Sequence, residues 1–416
     1  MTSDTITSAP AQPVRDVDFS DPEFLRAPWP HLMRLQDEAP VHWSETQRGW
    51  IVTRHEDVKA CYADRRLSAR RADQFMRAVS PEVAEQLVEV RRFNTLNVNR
   101  MDGMDQIRIR ALLLKAFDRG AVKRQEDYIA QVVDEILERC AAEREFDFNK
   151  LVGAVLPTAL VQRMFNLPTE TRELLFKLAS DFTAASGAAA LTPELLLRLE
   201  ATLRTMNEVF TALIHEREQT PGEDVISTLV HARDGLHRLS HEELLVQLTG
   251  LVVAGAETTA NSLGTQLVRI AQTPELLQRL RDGPECAPAL VAELLRYPGT
   301  VKCMTRFAAE DIELGGQQIR QGDLIWIMNA AANVDPRVFP DPFRWDIDRD
   351  NARESMAFGP GLHHCVGHIL ARTELAMFFQ RAFARFDVEI LQQDFDMAPS
   401  YIFYGYRSLK VRLTPR

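Results

Sequence analysis

The sequence predicts a mainly α-helical fold with a small β portion, arranged around one long central helix. Apolar residues recur at helical spacing over most of the chain between residues 56 and 297. Short apolar runs separated by glycines begin only after Cys303. The longest helical stretch opens with Ser240 and Glu243, an S-x-x-E capping box, and stops before Pro274. At ~1.5 Å per residue this helix is about 50 Å long, enough to cross a whole domain.

The first elements of the chain are a polar segment, a helix and a strand pair. Residues 1–20 are polar, and we expect them to form a flexible arm. A helix is predicted over Asp21–Asp37, with two prolines near its start. Apolar and polar residues largely alternate over Val41–Arg54, as in a half-buried hairpin. Helices are then predicted over residues 56–63, 104–117, 121–142, 149–165, 169–184, 192–217, 240–272 and 288–297.

The C-terminal third contains the predicted β portion. Short strands are expected over Ile312–Leu314, Gln318–Ile319 and Leu324–Met328, with glycines between them. An irregular segment rich in Pro and Asp follows, then a Gly-rich turn over residues 358–367, a helix to about Phe386 and a final strand region. No repeat or linker divides the chain, so residues 21–416 are expected to form one domain.

Composition excludes several classes of partner. The chain has 416 residues, 45% of them hydrophobic, which is enough for a large core. Its net charge of −10 disfavours general affinity for nucleic acid or anionic membrane. We find no run of ~20 apolar residues and no signal peptide, and therefore expect a cytoplasmic protein without a membrane anchor. The five cysteines include no CxxC pair, which argues against a disulfide framework and leaves a thiol available for chemistry.

The segment around Cys365 is the most specific motif. Residues 358–367 fit the pattern F-G-x-G-x-H-x-C-x-G, with Phe358, Gly359, Gly361, His363, Cys365 and Gly367 at its defined positions. Glycines let a backbone turn tightly and approach a neighbouring group closely. A cysteine at the start of a helix is expected to have a lowered pKa because of the helix dipole. Cys365 could instead be a buried inert thiol. It could also belong to a zinc cluster with the neighbouring histidines, but these donors are too crowded to converge tetrahedrally.

This segment resembles the haem-binding signature of the cytochrome P-450 family. The resemblance implies a haem-thiolate fold with a long helix above haem b, and Cys365 as the axial ligand of the iron. It also implies a buried ion-pair network made by an E-x-x-R helix and a later arginine. Here Glu293 and Arg296 have the required spacing, and Arg344 stands where the third member is expected. In isolation, the first two residues would be interpreted as a solvated pair.

The long helix contains a second segment similar to the family, residues 254–259. By this resemblance Ala254 leaves room above the haem, Thr258 positions oxygen and water, and Glu257 relays protons. The family more often has Asp at the position of Glu257. The alternative is that Thr258 only bonds back to a helix carbonyl while Glu257 is solvated.

The resemblance also assigns partners to the haem propionates. These are Arg110, Arg306 and His363. The family usually has His four residues before Arg110, where this chain has Gln106, which can donate a hydrogen bond but carries no charge. For each arginine the alternative is a solvated surface charge.

An apolar small-molecule pocket is expected above the haem. By the resemblance its walls come from residues 70–100, 180–195, 250–258, 300–305 and 400–404, with Val253, Ala254, Met304, Ile402 and Phe403 as lining residues. Six arginines at positions 65, 66, 70, 71, 91 and 92 could recognise an acidic substrate, although a solvated face is the favoured interpretation.

These residues predict a monooxygenase that inserts one atom of O2 into a hydrophobic small molecule. The sequence has no nucleotide-binding G-x-G-x-x-G after a strand, so electrons are expected from a separate ferredoxin or flavodoxin with its reductase. Arg108, Arg110, Arg372 and His368 are candidates for the docking face. The alternatives are peroxide-driven oxidation or oxidative coupling on the same haem, and a haem sensor without turnover.

Overall fold

A computed structural model describes residues 16–71, 79–187 and 192–416. Helices account for most of this part of the chain. They are α1 Pro22–Arg26, α2 Trp29–Glu38, α3 His55–Ala63, α4 Pro81–Ala84, α5 Val88–Leu96, α6 Gly103–Leu114, α7 Arg119–Lys123, α8 Glu126–Glu143, α9 Val155–Met164, α10 Arg172–Gly187, α11 Pro193–Gln219, α12 Val225–His231, α13 His241–Gln272, α14 Pro274–Asp282, α15 Ala287–Arg296, α16 Asn329–Ala332 and α17 His368–Arg385.

The strands of the described residues form three small sheets. They are β1 Val41–Ser44, β2 Gly49–Val52, β3 Leu67–Ser68, β4 Glu145–Asp147, β5 Met304–Ala308, β6 Ile312–Leu314, β7 Gln317–Ile319, β8 Leu324–Ile327, β9 Phe386–Ile390 and β10 Lys410–Pro415. The largest sheet has the order β1-β2-β8-β5-β3, in which only β2 and β8 run parallel. The others are β4-β10-β9 and the hairpin β6-β7. The predicted class, mainly α with a small β portion, is confirmed.

The long helix α13 forms where the sequence predicted it. Ser240 accepts from the Glu243 N–H over 3.2 Å, and the Glu243 carboxylate accepts from the Ser240 N–H over 2.8 Å. These two bonds satisfy donors that a helix start would otherwise leave exposed. The other end stops at Gln272 because α14 begins immediately with Pro274. The helix α13 contributes to two large apolar clusters, so it lies inside the molecule along much of its length.

Several element boundaries differ from the predictions. The helix expected over Asp21–Asp37 is two helices, α1 and α2, separated at Ala27 and Pro28, because a residue before proline disfavours the helical conformation. The stretch 149–165 begins with a π-helical turn, Asn149–Gly153, before α9. The short helices α12 and α14 were not predicted, and neither was α5. Helices this short present too few periodic positions to be distinguished from loops.

The last five residues of the predicted flexible arm are ordered and packed against the protein. Residues 1–15 lie outside the described part of the chain. Residues 16–20 are fixed, since the side chains of Val17 and Phe19 are buried at 5% and 2% exposure. Phe19 stacks on Phe24 with ring centroids 5.1 Å apart and meets Trp326 edge-on at 5.2 Å. Two apolar residues within a polar segment were too weak a signal to predict this anchoring.

No helix in the described ranges combines the length and the apolar character needed to cross a bilayer.

Candidate active site

A cavity of about 1150 Å³ has walls from both the long helix and the loop that carries Cys365. Residues 358–367, called the cysteine loop below, line it on one side with Phe358, Gly359, His363 and Cys365. The helix α13 lines it with Val253, Ala254, Glu257 and Thr258. The two segments that the sequence singled out are about a hundred positions apart along the chain, and both line this cavity.

The cysteine loop has a tight backbone path. Gly359 and Gly361 have φ values of +62° and +75°, a region that side chains disfavour. A Cβ at Gly361 would come within 3.4 Å of the Tyr62 carbonyl, so the loop also runs close to α3. The Cys365 N–H donates to the Phe358 carbonyl over 2.9 Å and closes the loop. Glycine is therefore required at these two positions by backbone geometry.

The pKa of the Cys365 thiol is shifted in the direction opposite to the one expected. Burial raises the pKa of its thiol, while a hydrogen bond from the Gly367 N–H and the positive charge of Arg110 lower it. The lowered pKa predicted from the helix start is wrong for the free thiol. The reason is position, since α17 begins at His368 and Cys365 precedes its N-cap by two residues. Burial therefore outweighs the helix dipole, which acts only within the first turn.

Thr258 forms the hydrogen bond that was considered as an alternative to catalysis. Its hydroxyl donates to the Ala254 carbonyl over 2.7 Å. One turn later, the Ser262 hydroxyl donates to the Thr258 carbonyl over 2.9 Å. Thr258 also lines the cavity, so the back-bond does not withdraw it from the site. With its proton engaged by Ala254, the hydroxyl oxygen remains an acceptor towards the cavity.

Glu257 is half-buried and lines the same cavity beside Thr258. The two side chains are consecutive in α13, and both reach the cavity wall. A partly exposed carboxylate can take up a proton from solvent water and pass it to a water molecule inside the cavity.

Arg306 and His363 provide polar groups at the cavity wall. Arg306 is only 3% exposed, and burial lowers its pKa. Its Nη1 donates to the Thr305 carbonyl over 2.8 Å, and no carboxylate of the described residues lies within ion-pair distance of it. His363 Nδ1 is buried and has no hydrogen-bond partner within the described ranges. Its Nε2 lies 3.8 Å from Asp102 Oδ1.

Asp102 was not singled out from the sequence, yet it connects three parts of the site. It accepts from the Ser68 hydroxyl over 2.5 Å and from the Ala69 N–H over 3.1 Å, besides facing His363. Burial would raise its pKa, but the nearby His363 and the hydrogen bonds from Ser68 and Ala69 lower it to about 2. A single aspartate does not indicate, from the sequence alone, which residues distant along the chain it will contact.

Gln106 and Arg110 lie behind the cysteine loop, outside the set of described residues that line the cavity. Gln106 is buried, and its Nε2 donates to the Leu362 carbonyl over 2.8 Å. The partner of Gln106 is therefore a carbonyl of the cysteine loop, whereas the sequence analysis predicted a haem propionate. Arg110 is half-buried, which lowers its pKa, and lies near enough to Cys365 for the two charges to interact.

The E-x-x-R helix carries a buried ion pair as predicted, but its third member is not Arg344. Arg296 donates to both oxygens of Glu293 over 2.8 and 2.6 Å, and both side chains are almost fully buried. Arg349 completes the network, with its Nε 3.3 Å from Glu293 Oε1. Arg344 is exposed, and its backbone carbonyl accepts a hydrogen bond from Arg349 Nη2 over 3.2 Å. The loop turns between the two arginines, so the later one points inward.

The five residues predicted to line the pocket all do so: Val253, Ala254, Met304, Ile402 and Phe403. The lining also includes residues that were not individually predicted for the pocket, among them Tyr62, Arg71, Asn97, Arg100, Trp326 and Glu374. Parts of two predicted wall segments, residues 72–78 and 188–191, lie outside the described residues. The zinc alternative finds no support, since no three His, Cys, Asp or Glu side chains of the described ranges converge on a common point.

The family model described as Cytochrome P450 matches residues 70–283 and 285–401 of this chain. The chain belongs to the cytochrome P450 family. It is similar to "Polyketide biosynthesis cytochrome P450 PksS" of Bacillus subtilis (strain 168), with 31% identity over 94% of this chain and 97% of that protein. It is 33% identical to "Nocardicin C N-oxygenase" of Nocardia uniformis subsp. tsuyamanensis, over 89% of this chain and 91% of that protein.

The fold is likewise similar to solved P450 structures. Cytochrome P450 CYP109Q5 from Chondromyces apiculatus superposes with a TM-score of 0.86 at 26% identity, over 97% of this chain and 99% of that chain. This P450 is therefore a monooxygenase with haem b as its cofactor. The described residues fit that cofactor. A cysteine thiol, a buried arginine without a carboxylate and an unsatisfied buried histidine nitrogen all line one large cavity.

Proposed function

We propose that this P450 inserts one atom of O2 into a hydrophobic small molecule, with electrons delivered by a separate ferredoxin or flavodoxin. The observation that carries the proposal is the shared cavity, whose walls include both Cys365 and the helix segment bearing Thr258 and Glu257. Apolar side chains such as Val253 and Phe403 line the same space and favour an apolar substrate. When bound, haem b would supply the iron that activates dioxygen, and the Cys365 thiolate would hold that iron.

Thr258 is proposed to hold a water molecule next to the reacting oxygen. Its hydroxyl proton is engaged by the Ala254 carbonyl, so its Oγ1 accepts a hydrogen bond and keeps the donor water in one orientation. Glu257 is proposed to resupply the proton that this water gives up. One hydroxyl and one carboxylate can deliver protons at this wall without a continuous path of bulk water through the cavity.

Arg306 and His363 are proposed to bind the haem propionates, since both offer donors at the cavity wall. A buried guanidinium is stable only when its charge is compensated, and a propionate would make the direct ion pair that no described carboxylate makes with Arg306. Gly359 and Gly361 are proposed to bring the cysteine loop close to the haem face, with Phe358 and Ala254 in contact with the macrocycle. Arg110 is proposed to stabilise the Cys365 thiolate by its charge.

The electron donor is proposed to bind on the side of the molecule behind Cys365. Arg372 lies there, with its Cζ 5.1 Å from the Phe358 ring centroid, and Arg110 is beside it along the cysteine loop. Exposed apolar side chains of Ile107 and Leu362 accompany these charges. Arg108 is less available, because it pairs with Glu243 and Asp105. A partly basic face with apolar contacts suits an acidic redox protein.

The test is turnover with isotope-labelled oxygen. Compounds that change the spin state of the ferric protein are first selected as ligands. Each is then incubated with NADPH, a ferredoxin and its reductase under ¹⁸O2, and in parallel with hydrogen peroxide alone. The proposal predicts one labelled oxygen atom in the product of the reductase-driven reaction. Product only with peroxide would establish the peroxide-driven alternative, and no oxidation of any tight ligand would favour a sensor.

The single domain over residues 21–416 and the cytoplasmic location stay predictions.

A further inference from the structure

Asn97 places a carboxamide in the wall of the substrate cavity, and the fold uses only half of it. Asn97 is 5% exposed and lines the same cavity as Thr258. Its Oδ1 accepts from the Asn99 N–H over 3.0 Å and caps the short 3₁₀ turn Val98–Arg100. Within the described ranges, no oxygen accepts a hydrogen bond from its Nδ2. The amide nitrogen therefore carries N–H donors that the cap does not need.

The hydrogen bond from Asn99 decides which amide atom is which. A backbone N–H can only donate, so the atom that it meets must be the oxygen Oδ1. The other atom, Nδ2, lies beside Gly250, because a Cβ added to this glycine would collide with it. Gly250 belongs to α13 and lines the cavity. The unused donor of Asn97 therefore lies next to the long helix, at the cavity wall.

Gln247 holds the backbone on both sides of Asn97. Its Nε2 donates to the Leu96 carbonyl over 2.6 Å, and its Oε1 accepts from the Val98 N–H over 3.1 Å. Gln247 is only 1% exposed, so bulk water does not compete for these bonds. Gln247 and Gly250 are three positions apart and share one face of α13. This face fixes the backbone around Asn97 and also leaves space for its side chain.

The capping role alone does not account for an asparagine at this position. A serine, threonine or aspartate oxygen would cap the turn as well. A largely buried amide nitrogen without an acceptor costs free energy, and this cost is removed when an acceptor reaches it from the cavity. Because the amide is uncharged, a neutral oxygen is sufficient as its partner. The neighbouring wall residues Phe93 and Val98 are apolar and suit the remainder of a lipophilic ligand.

We propose that the Asn97 amide donates a hydrogen bond to a neutral carbonyl oxygen of the substrate, with Gln247 as a positioning residue. The assignment rests on the proposed monooxygenase function and specifies its substrates as lipophilic molecules that contain a ketone, ester or lactone group. Gly250 precedes Ala254 by ~6 Å and Thr258 by ~12 Å along the helix, at ~1.5 Å per residue. The oxidised carbon is therefore remote from the carbonyl group.

The test compares ketones with alkenes of the same shape. The probes are cyclododecanone, 2-tridecanone and a saturated steroid 3-ketone, each paired with the compound in which C=CH2 replaces C=O. Binding to the haem-loaded protein is measured by equilibrium dialysis and by the ferric spin state. The ketone preference is the dissociation constant of the alkene divided by that of the ketone. Haem content and the absorption of the reduced carbon monoxide adduct are recorded for every protein.

Two variants remove the donor and keep the cap. Asn97→Ser retains a capping oxygen but has no amide nitrogen, and Asn97→Asp retains the shape but replaces the donor with an acceptor. The matched control is Asn94→Ser, because Asn94 is also buried but lies outside the described set of cavity-lining residues. Gln247→Leu keeps the Asn97 side chain and removes the two bonds that position it.

Asn97→Ser should lower the ketone preference of the best probe pair by about threefold to tenfold, the range for one neutral hydrogen bond. Asn97→Asp should lower it at least as far, Gln247→Leu should lower it in part, and Asn94→Ser should keep the wild-type value. All five proteins should contain the same amount of haem.

If Asn97→Ser keeps the wild-type preference with every probe pair, the amide does not bind a substrate carbonyl and the assignment is wrong. If Gln247→Leu loses stability but keeps the preference, Gln247 has only a structural role. Oxidation of a bound ketone at the carbon next to its carbonyl would contradict the proposed placement. The dissociation constants are measured without turnover, so they test this assignment even if the oxygen-insertion test above fails.

Discussion

The guanidinium of Arg349 lies 3.3 Å from a carboxylate oxygen of Glu293, the same oxygen that Arg296 contacts at 2.6 Å. One buried acid thus compensates two arginines. Arg296 also donates to the Asn333 carbonyl over 2.7 Å, which connects α15 to the segment after α16. The network thus joins α15 to the irregular segment that precedes the cysteine loop.

Removing Arg349 should therefore destabilise the protein, and removing Arg344 should not. We expect Arg349→Met to lower the free energy of unfolding by about 2–4 kcal/mol, because Glu293 loses one of two buried cations. Arg344→Met is the matched control and should change it by less than about 0.5 kcal/mol, as is usual for an exposed side chain. Denaturant unfolding of both variants measures the difference. Equal losses for the two arginines would mean that the network extends to the surface of the loop.

Gln106 should matter to the cysteine loop more than to the cofactor. Gln106→Leu leaves the Leu362 carbonyl without its donor, and we expect a loss of about 1 kcal/mol in unfolding free energy. The haem content after purification should be unchanged. Gln106→His is the control, since its ring can still donate a hydrogen bond. Haem loss from Gln106→Leu with unaltered apoprotein stability would restore the cofactor contact predicted from the sequence.

The sequence predicted those parts of the molecule that depend on local signals. The long helix α13 has a capping box and a terminating proline, and the cysteine loop has glycines whose backbone geometry no other residue adopts readily. These signals lie within one or two turns of the residues they define.

Parts that depend on contacts distant along the chain could not be predicted in the same way. Arg344 and Arg349 are both arginines in one irregular loop, and only its folded path decides which reaches Glu293. Likewise Arg71 belongs to a run of surface arginines, and its inward direction depends on pairing between β3 and β5. The pKa of the Cys365 thiol is raised mainly by burial. Burial is a property of the assembled core, and a short sequence motif does not reveal it.

Asp102 should give the protein a component of stability that is lost only in strong acid. Its pKa is lowered from 3.8 to about 2 in the folded chain, so the ionised form is favoured by folding. The contribution is fully present above the ordinary pKa of an aspartate and disappears as the pH falls through the folded value. We expect it to amount to about 1–2 kcal/mol, reduced from the full shift because the side chain is partly exposed.

The measurement is unfolding free energy between pH 2 and 6 for wild type and Asp102→Asn. The variant should be less stable at pH 6, and the two curves should converge towards pH 2 as the wild-type carboxylate becomes protonated. Asp105→Asn, at a neighbouring carboxylate that is 73% exposed, is the control and should keep the wild-type profile. A constant difference between Asp102→Asn and wild type at all pH values would assign the effect to hydrogen-bond geometry alone.

Thr258 should couple oxygen consumption to product formation. Thr258→Ala removes the acceptor that is proposed to hold the donor water, and we expect product formed per O2 consumed to fall at least about tenfold. Oxygen consumption itself should continue, with the missing product replaced by hydrogen peroxide. Thr258→Ser keeps a hydroxyl on the same Cβ and should retain most of the coupling. Product, peroxide and O2 are measured in one reductase-driven reaction with a ligand from the spin-state screen.

A loss of coupling could also arise from the missing helix back-bond, and a second threonine separates the two causes. Thr265 donates to the Asn261 carbonyl over 2.9 Å in the same helix and lies outside the described set of cavity-lining residues. Thr265→Ala therefore removes the same kind of hydrogen bond without changing the cavity wall. It should leave coupling at the wild-type level. If Thr265→Ala uncouples as strongly as Thr258→Ala, the hydroxyl acts through helix geometry, and the water-holding role of Thr258 is wrong.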